Sequence, residues 1–289
     1  IIGAGAIGSM WAGSLLCTNQ DIHLVTRRPL KTNLLNYQDI NQQHHQLAIS
    51  ASCSLLKSTD PIVLCVKATQ VQQAIKDQRH LIRPEQAIIL MHNGMGCAEQ
   101  VQVLLPDNPI ISATTANASL LNAPLDVHHL GKGPTYLGPF NQAAESYEHV
   151  VDIFNHALGD SEWTTDIKQK QWLKLLINSV INPLTALYEV KNGELESAFF
   201  QEKMSNIILE GVNIALAESL HFSQTQLINI INQVISNTSK NYSSMNRDIF
   251  YKRQTENDYI IGYLLDRAKK HKLATPYLLN ETSQLKRVP

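Results

Sequence analysis

The chain begins Ile1-Ile2-Gly3-Ala4-Gly5-Ala6-Ile7-Gly8, and this stretch decides the expected fold. The two leading isoleucines are typical of the end of a buried strand, and the next six residues fit G-x-G-x-x-G. In that motif the first glycine permits a tight turn, the second lets the backbone approach a pyrophosphate, and the third allows close helix–strand packing. A helix that follows supplies free N–H groups and a positive dipole end. The motif predicts dinucleotide binding by Gly3, Ala4, Gly5, Ala6, Ile7 and Gly8, the alternative being a purely structural turn.

The residues after the second predicted strand, Ile22–Thr26, indicate which dinucleotide is bound. An NAD site usually carries Asp or Glu about 20 residues beyond the glycines, where the carboxylate accepts a hydrogen bond from the ribose 2′-hydroxyl. This chain has Arg27 and Arg28 instead. A guanidinium binds phosphate in a fork, whereas a carboxylate repels it. We therefore predict NADP(H), with Arg27 on the 2′-phosphate and Arg28 assisting; the alternative is two solvated arginines before Pro29.

The first half of the chain alternates short apolar runs with helical patterns. Ile62–Val66 and Ala87–Met91 are typical of strands buried on both faces, and Ile110–Thr115 is a further candidate. Val127–Leu130 and Tyr136–Gly138 are predicted as late strands on either side of a glycine turn. Such alternation predicts an α/β Rossmann-type domain with a doubly wound parallel sheet, which we place over residues 1–165.

Residues 166–289 carry only helical patterns and are predicted to form an all-helical domain. The predicted helices are Ile167–Tyr188, Gln201–His221, Gln224–Ser236 and Thr255–His271.

Composition excludes several classes of protein. The 289 residues include 24 Lys and Arg against 25 Asp and Glu, so the basic excess of a nucleic-acid-binding protein is absent. Hydrophobic residues make up 44%, but no apolar run approaches the ~20 residues of a membrane helix, and no signal peptide is expected. We predict a cytoplasmic protein that binds neither nucleic acid nor membrane.

Cysteine and histidine spacing gives no support for a metal site. Cys17, Cys53, Cys65 and Cys97 form no Cys-x-x-Cys pair, and Cys17 and Cys65 lie in apolar runs where a thiol acts as a small hydrophobe. The pairs His44-His45 and His128-His129 are adjacent in sequence, and because neighbours in a strand point to opposite faces, such a pair rarely chelates one ion. We expect reduced cysteines and no metal.

Two polar groups follow buried strands, at the sheet edge where open α/β folds bind ligands. Lys67 follows Ile62–Val66, and His92-Asn93-Gly94-Met95-Gly96 follows Ala87–Met91. Asn93 can both donate and accept hydrogen bonds. Each segment suits a cofactor groove, although either is also compatible with an ordinary loop.

A polar stripe runs along the predicted helix Ile167–Tyr188. Lys174, Asn178 and Asn182 recur every four residues on a helix that is otherwise mostly apolar. Such a stripe faces either solvent or a polar cleft, and asparagine is a poor helix former that a merely solvated face has little reason to use twice. Pro183 is expected to kink or restart the helix. The cleft interpretation is favoured.

Further candidates lie in the turns and helix starts downstream. Asn192 begins an Asn-Gly-Glu turn, Asn241 and Ser244 precede a helix, and Glu256 opens the next apolar helix. Glu256 is also explained as an ordinary acid in a helix first turn.

Together these motifs resemble the ketopantoate reductase family. The matching segments, in order, are GAGAIG at the start, Lys67, HNGMG (92–96), WLKLLINSVINPLTAL (172–187), NGEL (192–195), SSM (243–245) and TENDYIIGYLL (255–265). The order and spacing fit nearly the whole chain, and the INPLTAL and Thr-Glu-x-Asp-Tyr-x-x-Gly runs are the most specific. TTANAS (114–119) fits only loosely, so a cofactor contact at Ser119 is not expected.

The resemblance implies NADPH-dependent reduction of a small 2-oxo acid, ketopantoate, to pantoate for coenzyme A synthesis, with the active site between a Rossmann domain and a helical domain. It implies Lys174 as proton donor, with Glu256 close to substrate and cofactor. The implied substrate-binding residues are Asn93, Lys174, Asn178, Asn182, Asn192, Asn241 and Ser244. The implied cofactor contacts beyond the glycines are Arg27, Lys67, Asn93 and Glu256. A monomer or homodimer is equally compatible.

Two alternatives remain open at this point. One is a reductase of another 2-oxo or 3-oxo acid on the same architecture, because fold alone does not fix the substrate. The other is a non-catalytic NADP-binding sensor, against which the presence of both Lys174 and Glu256 argues.

Overall fold

The structure is a computed structural model that describes residues 1–27, 29–30, 32–49 and 59–285. The chain divides into two compact units. The first comprises Ile1–His92 and Cys97–Lys170, and the second comprises Asn93–Gly96 and Gln171–Pro289. Arg28 and Cys53, both considered in the sequence analysis, lie outside the described residues. The domain limits 1–165 and 166–289 stay a prediction.

The first unit contains nine described strands and four described α-helices. The strands are β1 (Leu34–Gln38), β2 (His44–Ala48), β3 (Ile62–Leu64), β4 (Ile88–Met91), β5 (Ile110–Thr115), β6 (Ala118–Ala123), β7 (Asp126–Gly131), β8 (Thr135–Pro139) and β9 (Ser161–Trp163). The helices are α1 (Ala6–Cys17), α2 (Val71–Asp77), α3 (Cys97–Leu104) and α4 (Val151–Leu158).

The larger sheet has the order β3-β4-β5-β8-β9 and contains the strands that the apolar runs predict. Strands β3, β4 and β5 are parallel and every residue in them is buried, which confirms the prediction of a parallel sheet covered on both faces. Beyond them the sheet is mixed, because β8 runs antiparallel to β5 and β9 is parallel to β8.

The start of the chain joins this sheet through single bridges rather than full strands. Ile2 pairs in parallel with Val25 and with Leu64. The prediction of a complete strand over Ile22–Thr26 is therefore wrong, although the bridge that forms there is parallel, as expected of this sheet. Hydrogen bonds still link this segment to the first residues: the Val25 N–H donates to Ile1, the Gly3 N–H donates to Val25, and the Ile1 amino group donates to the His23 carbonyl oxygen.

Helix α1 packs beside α4, where Trp11 meets Phe154 edge-on with ring centroids 4.9 Å apart. Both rings belong to one core with Ile89 and Ile111 of the sheet. Residues alternate across a strand, so the equally buried Ile88 faces the opposite side. Helices α1 and α4 therefore cover one face of the sheet, and the other face is buried as well, as the Rossmann-type prediction requires.

A second sheet, with the order β2-β1-β7-β6, was not predicted. It contains the predicted strand over Val127–Leu130, which pairs in parallel with β1 rather than with the neighbouring β8. Helix α1 contacts all four of its strands, and Tyr37 of β1 lies against Gly13, where an added Cβ would be 2.5 Å from the Tyr37 ring.

The second unit is helical over its described residues, as predicted. Its helices are α5 (Ile167–Leu187), α6 (Ala198–Ala217), α7 (Gln224–Asn237), α8 (Ser244–Phe250), α9 (Asn257–Lys270) and α10 (Pro276–Leu285). The first residues of α5, up to Lys170, belong to the first unit. The four predicted helices are present with ends shifted by at most four residues, whereas α8 and α10 were not delimited in advance. Helix α5 runs through Pro183 without a break, so the predicted restart is wrong.

The cysteine and histidine predictions meet mixed outcomes. Cys17 is exposed, so its assignment as a buried hydrophobe is wrong, while Cys65 is partly buried. His45 pairs with Asp39 at 3.0 Å and His44 contacts His128 instead, so the two neighbours do point apart. Over the described ranges, no group of three or more His, Cys, Asp or Glu side chains is arranged to hold a metal ion.

None of the described helices combines the length and apolarity needed to cross a membrane.

Candidate active site

The three glycines of the first turn have three different steric environments. Gly3 has a φ of +109°, and a Cβ there would lie 2.8 Å from Val66 Cγ1. A Cβ on Gly8 would overlap the carbonyl oxygen of Gly3. Among the residues that the structure describes, a Cβ on Gly5 would meet nothing nearer than the Cys65 oxygen at 4.0 Å. Gly3 and Gly8 are therefore required by the fold itself, whereas Gly5 leaves an open surface above the turn.

The start of α1 has the features of an anion site. Gly5 caps the helix without any side-chain hydrogen bond, and the first turn, which includes Ala6 and Ile7, contains no acidic residue. The first N–H groups of a helix have no partners within it and carry the positive end of its dipole. The open surface at Gly5 and these N–H groups fit a dinucleotide phosphate.

Arg27 and Lys67 lie at the same sheet edge as the glycine turn. Gly3 donates a backbone hydrogen bond to Val25 at 2.9 Å, and Cys65 donates to Ile2 at 2.9 Å. Because these segments run parallel, the residues that follow them emerge at one edge. Arg27 is exposed and Lys67 is partly buried there. Arg28 lies outside the described residues, and Ser119 lies on β6 of the second sheet.

In the second unit, the polar stripe on α5 is partly buried at two positions and buried at the third. Lys174 and Asn178 are partly buried, and Asn182 is 6% exposed. From Trp172 onward, most other residues of the helix are apolar and lie in the core of the unit. The solvated-face interpretation is therefore wrong for Asn182.

Lys174, Glu256 and Asn93 form an interacting group. Asn93 Nδ2 donates to Glu256 Oε2 at 3.2 Å, and the Glu256 carboxylate acts electrostatically on Lys174. Glu256 is 7% exposed and directly precedes α9. These residues are far apart in sequence, and the structure of the second unit brings them together.

Two glycines let the loop Asn93–Gly96 reach this position. Gly94 and Gly96 have φ angles of +80° and +97°. A Cβ on Gly94 would lie 2.6 Å from the carbonyl oxygen of Tyr259, which also accepts a 2.8 Å hydrogen bond from the Met95 N–H. The loop backbone is therefore fixed against α9, and Asn93 is fixed beside Glu256.

The environment of Lys174 lowers its pKa to about 8, from an ordinary value of 10.5. Burial is the larger cause, because a low-dielectric setting disfavours the ammonium form. The Glu256 carboxylate opposes the shift and favours the charged form. An amine with such a pKa is mostly protonated at neutral pH and can still release its proton readily.

The remaining predicted residues differ in their accessibility. Asn192 is 7% exposed; its Nδ2 donates to Thr238 Oγ1 at 2.9 Å, and its Oδ1 has no hydrogen-bond partner among the described residues. Asn241 and Ser244 are exposed. The buried neighbour Ser243 caps α8 by accepting from the Asn246 N–H at 3.1 Å. The sequence analysis did not identify Ser243, Thr185 or Asn246 as candidate site residues. Ser243 and Thr185 belong to segments that match the family, but nothing in their spacing set them apart from their neighbours.

Two family models cover most of the chain. Ketopantoate reductase PanE/ApbA matches residues 1–142, and ketopantoate reductase PanE/ApbA C terminal matches residues 166–288. The chain belongs to the ketopantoate reductase family. It is therefore an oxidoreductase, as predicted, and family membership gives it a nicotinamide cofactor.

Sequence relatives extend over nearly the full length of this family member. The 2-dehydropantoate 2-reductase of Vibrio cholerae is 33% identical over 276 residues, which are 96% of this chain and 92% of that protein. The 2-dehydropantoate 2-reductase of Pyrococcus abyssi is 30% identical over 286 residues, with the same coverage of 96% and 92%. These relatives give no support to the sensor alternative.

Solved structures agree on the fold. The 2-dehydropantoate 2-reductase of Geobacter metallireducens superposes with a TM-score of 0.91 at 23% identity, covering 100% of this chain and 99% of that one. D-mandelate dehydrogenase, solved with NADH and anilino(oxo)acetate, has a TM-score of 0.88 at 22% identity, covering 99% and 96%. At these identities the likeness concerns the fold alone.

Proposed function

We propose that this chain reduces 2-dehydropantoate to pantoate with NADPH, and that Lys174 donates the proton to the ketone oxygen. The observation that carries the proposal is the interacting group of Lys174, Glu256 and Asn93 in a chain of this family. Residues 1–165 are the proposed cofactor-binding domain and 166–289 the proposed substrate-binding domain. The enzyme is proposed to be cytoplasmic, as a monomer or homodimer.

Lys174 carries out the proton step. When bound, the cofactor supplies a hydride to the ketone carbon, and negative charge then develops on the ketone oxygen. An ammonium beside that oxygen stabilises the charge and transfers one proton from Nζ, which leaves a neutral amine and an alcohol. Burial strengthens this interaction because little water screens it.

Glu256 and Asn93 prepare Lys174 for this step. The Glu256 carboxylate keeps the Lys174 pKa from falling further and thus keeps the donor protonated. The Asn93 amide donates to that carboxylate and limits its rotation. Asn93 is also a proposed contact for both cofactor and substrate.

The remaining polar side chains suit a hydroxylated 2-oxo acid. Asn178, Asn182, Asn192 and Asn241 offer amide donors and acceptors without adding charge, and the Ser244 hydroxyl can donate to the substrate carboxylate. The unpartnered Oδ1 of Asn192 is available to accept from a substrate hydroxyl. A site built from such groups discriminates strongly against analogues that lack a matching polar group.

NADP(H) is the proposed cofactor because cations, not acids, follow the segment around Val25. Arg27 is exposed at the edge that also carries the glycine turn and Lys67. A guanidinium can pair with a 2′-phosphate through two parallel hydrogen bonds.

The direct test follows loss of NADPH absorbance when 2-dehydropantoate is added to the purified protein. We expect turnover with NADPH and a higher KM with NADH. Arg27→Ala should raise the KM for NADPH about tenfold and leave the KM for NADH unchanged, because one charge-assisted contact contributes about 1.5–3 kcal/mol. The control is Arg79→Ala, which removes an arginine of the first unit that does not belong to the edge with the glycine turn, Arg27 and Lys67. No turnover would contradict the proposal, and a preference for NADH would contradict the role of Arg27.

The pH profile tests the proton donor independently. Lys174 is the donor only when protonated, so kcat/KM should fall as pH rises past its pKa of about 8. Glu256→Gln removes the charge that raises this pKa, so the alkaline fall should move to lower pH. The measurement is steady-state kcat/KM across pH with NADPH saturating. A profile that is flat up to the ordinary lysine value of 10.5 would assign the proton to another group.

A further inference from the structure

Three buried polar side chains join the end of α5 to the start of α8. Thr185, Ser243 and Asn246 are 0%, 6% and 5% exposed. The Thr185 and Ser243 hydroxyls are hydrogen-bonded at 2.7 Å, and Asn246 Nδ2 donates to the Thr185 carbonyl oxygen at 2.8 Å. We call these three side chains the polar clamp.

The polar clamp lies between the proposed substrate-binding residues. Thr185 is one turn beyond Asn182 on α5, and its hydroxyl lies 3.1 Å from the Asn182 carbonyl oxygen. Ser243 precedes Ser244 and caps its helix. The clamp therefore fixes the helix end that carries Asn182 relative to the turn that carries Ser244.

The same network continues to Asn192 and Asn241. Asn246 Nδ2 also lies 3.5 Å from the Val190 carbonyl oxygen, two residues before Asn192. The Asn192 N–H donates to the Asn241 carbonyl oxygen at 2.9 Å. Four proposed substrate-binding residues thus stand on segments that one hydrogen-bonded network holds together.

The clamp side chains themselves are occupied by protein partners. Asn246 Oδ1 accepts from Nη2 and Nε of Arg247 at 2.8 and 3.2 Å, and its Nδ2 is used as described above. The Thr185 hydroxyl also contacts the Ile181 carbonyl oxygen at 2.7 Å. Little hydrogen-bonding capacity remains for a ligand, so the clamp acts on substrate through the residues it holds.

We propose that Thr185, Ser243 and Asn246 are positioning residues for the substrate, an inference that rests on the proposed function. They keep the amides of Asn182, Asn192 and Asn241 and the Ser244 hydroxyl in one arrangement without touching the 2-oxo acid. Lys174 lies three turns earlier on α5, so loosening the clamp affects substrate binding more than proton transfer.

The test replaces Thr185 by valine, which keeps the shape and removes the hydroxyl. KM for 2-dehydropantoate should rise about tenfold, which is about 1.4 kcal/mol, because the amides held by the clamp lose their fixed arrangement, while kcat and the KM for NADPH should stay within about twofold of wild type. Thr185→Ser restores the hydroxyl and should restore KM. Thr282→Val is the matched control, because Thr282 is buried on α10 and its hydroxyl has no partner among the described residues.

Asn246→Asp provides a second variant of the same size. Its carboxylate keeps the Arg247 contact but places an oxygen against the Thr185 carbonyl oxygen, so KM for 2-dehydropantoate should rise more than in Thr185→Val. Should Thr185→Val not fold, Asn246→Asp and Ser243→Ala decide the same question. A wild-type KM in folded clamp variants, or equal damage from Thr185→Ser and Thr185→Val, would overturn the proposal. Wild-type protein without turnover would instead overturn the proposed function, and the clamp role with it.

Discussion

Replacing Lys174 by methionine should lower kcat for 2-dehydropantoate reduction by about a thousandfold, within the range for loss of a general acid and a charge at the reacting oxygen. Methionine replaces the aliphatic part of the lysine side chain, is unbranched and suits apolar surroundings, but it has no proton to give. The change relieves the cost of burying a cation but also removes the opposite charge near the buried Glu256 carboxylate, so we expect thermal stability to change much less than the rate. Single-turnover rates and thermal unfolding of the variant measure the two effects separately.

Lys168→Met is the matched control, since Lys168 is exposed on the same helix and should keep the wild-type rate. Lys174→Ala should regain part of its activity when a small alkylamine is added, because the amine can occupy the space left by the side chain. Lys174→Arg keeps a cation with a much higher pKa, so any residual activity should lose the alkaline fall near pH 8. A Lys174→Met variant with more than about a tenth of the wild-type kcat would contradict the proton-donor role.

The stripe on α5 was predictable from sequence because helical geometry is local. A spacing of four residues places Lys174, Asn178 and Asn182 on one face regardless of tertiary structure. Sequence did not predict that Glu256 would be hydrogen-bonded to Asn93, since the two are separated by 163 positions and meet only through the packing of the second unit. The family resemblance supplied their roles, and the structure supplied their contact.

The second sheet was missed for a different reason. Its strands β1 and β2 have the sequences LLNYQ and HHQLA, with burial that alternates and never reaches a continuous run. Such strands are stabilised by their partners rather than by their own apolar content. Asn36 pairs in parallel with Asp126, and the two residues are far apart in the sequence. No local sequence pattern can predict such a pairing.

Exposure also separates residues that look equivalent in sequence. Ser243 and Ser244 are adjacent hydroxyls before a helix, yet the first is buried and caps the helix while the second is exposed. Propensity favours serine at a cap but does not say which of two serines takes that position.

Pro183 shows that tertiary packing can override a local preference. A helix packed on several sides tolerates a proline that would break an isolated helix.

Substituting the glycines of the first turn should separate folding from cofactor binding. Gly8→Ala places a Cβ on the carbonyl oxygen of Gly3, so the strand-to-helix turn must move and thermal stability should fall sharply. Gly5→Val should lower stability much less than Gly8→Ala, since it causes no steric overlap and costs only the preference for glycine at the helix N-cap. The same valine would occupy the surface where the pyrophosphate is proposed to approach, so the Kd for NADPH should rise about a hundredfold, a loss of about 2.7 kcal/mol of binding free energy.

The decisive comparison is made by binding rather than by turnover. Titration of NADPH fluorescence gives the Kd for wild type, Gly5→Val and a control, Gly13→Ala, whose added Cβ would meet the Tyr37 ring instead of a cofactor. Gly13→Ala should lose stability, and its folded fraction should still bind NADPH normally. If Gly5→Val bound NADPH as tightly as wild type, the dinucleotide phosphates could not lie against this turn. The glycine motif would then be explained by the steric demands of Gly3 and Gly8 alone, which is the structural alternative that the sequence left open.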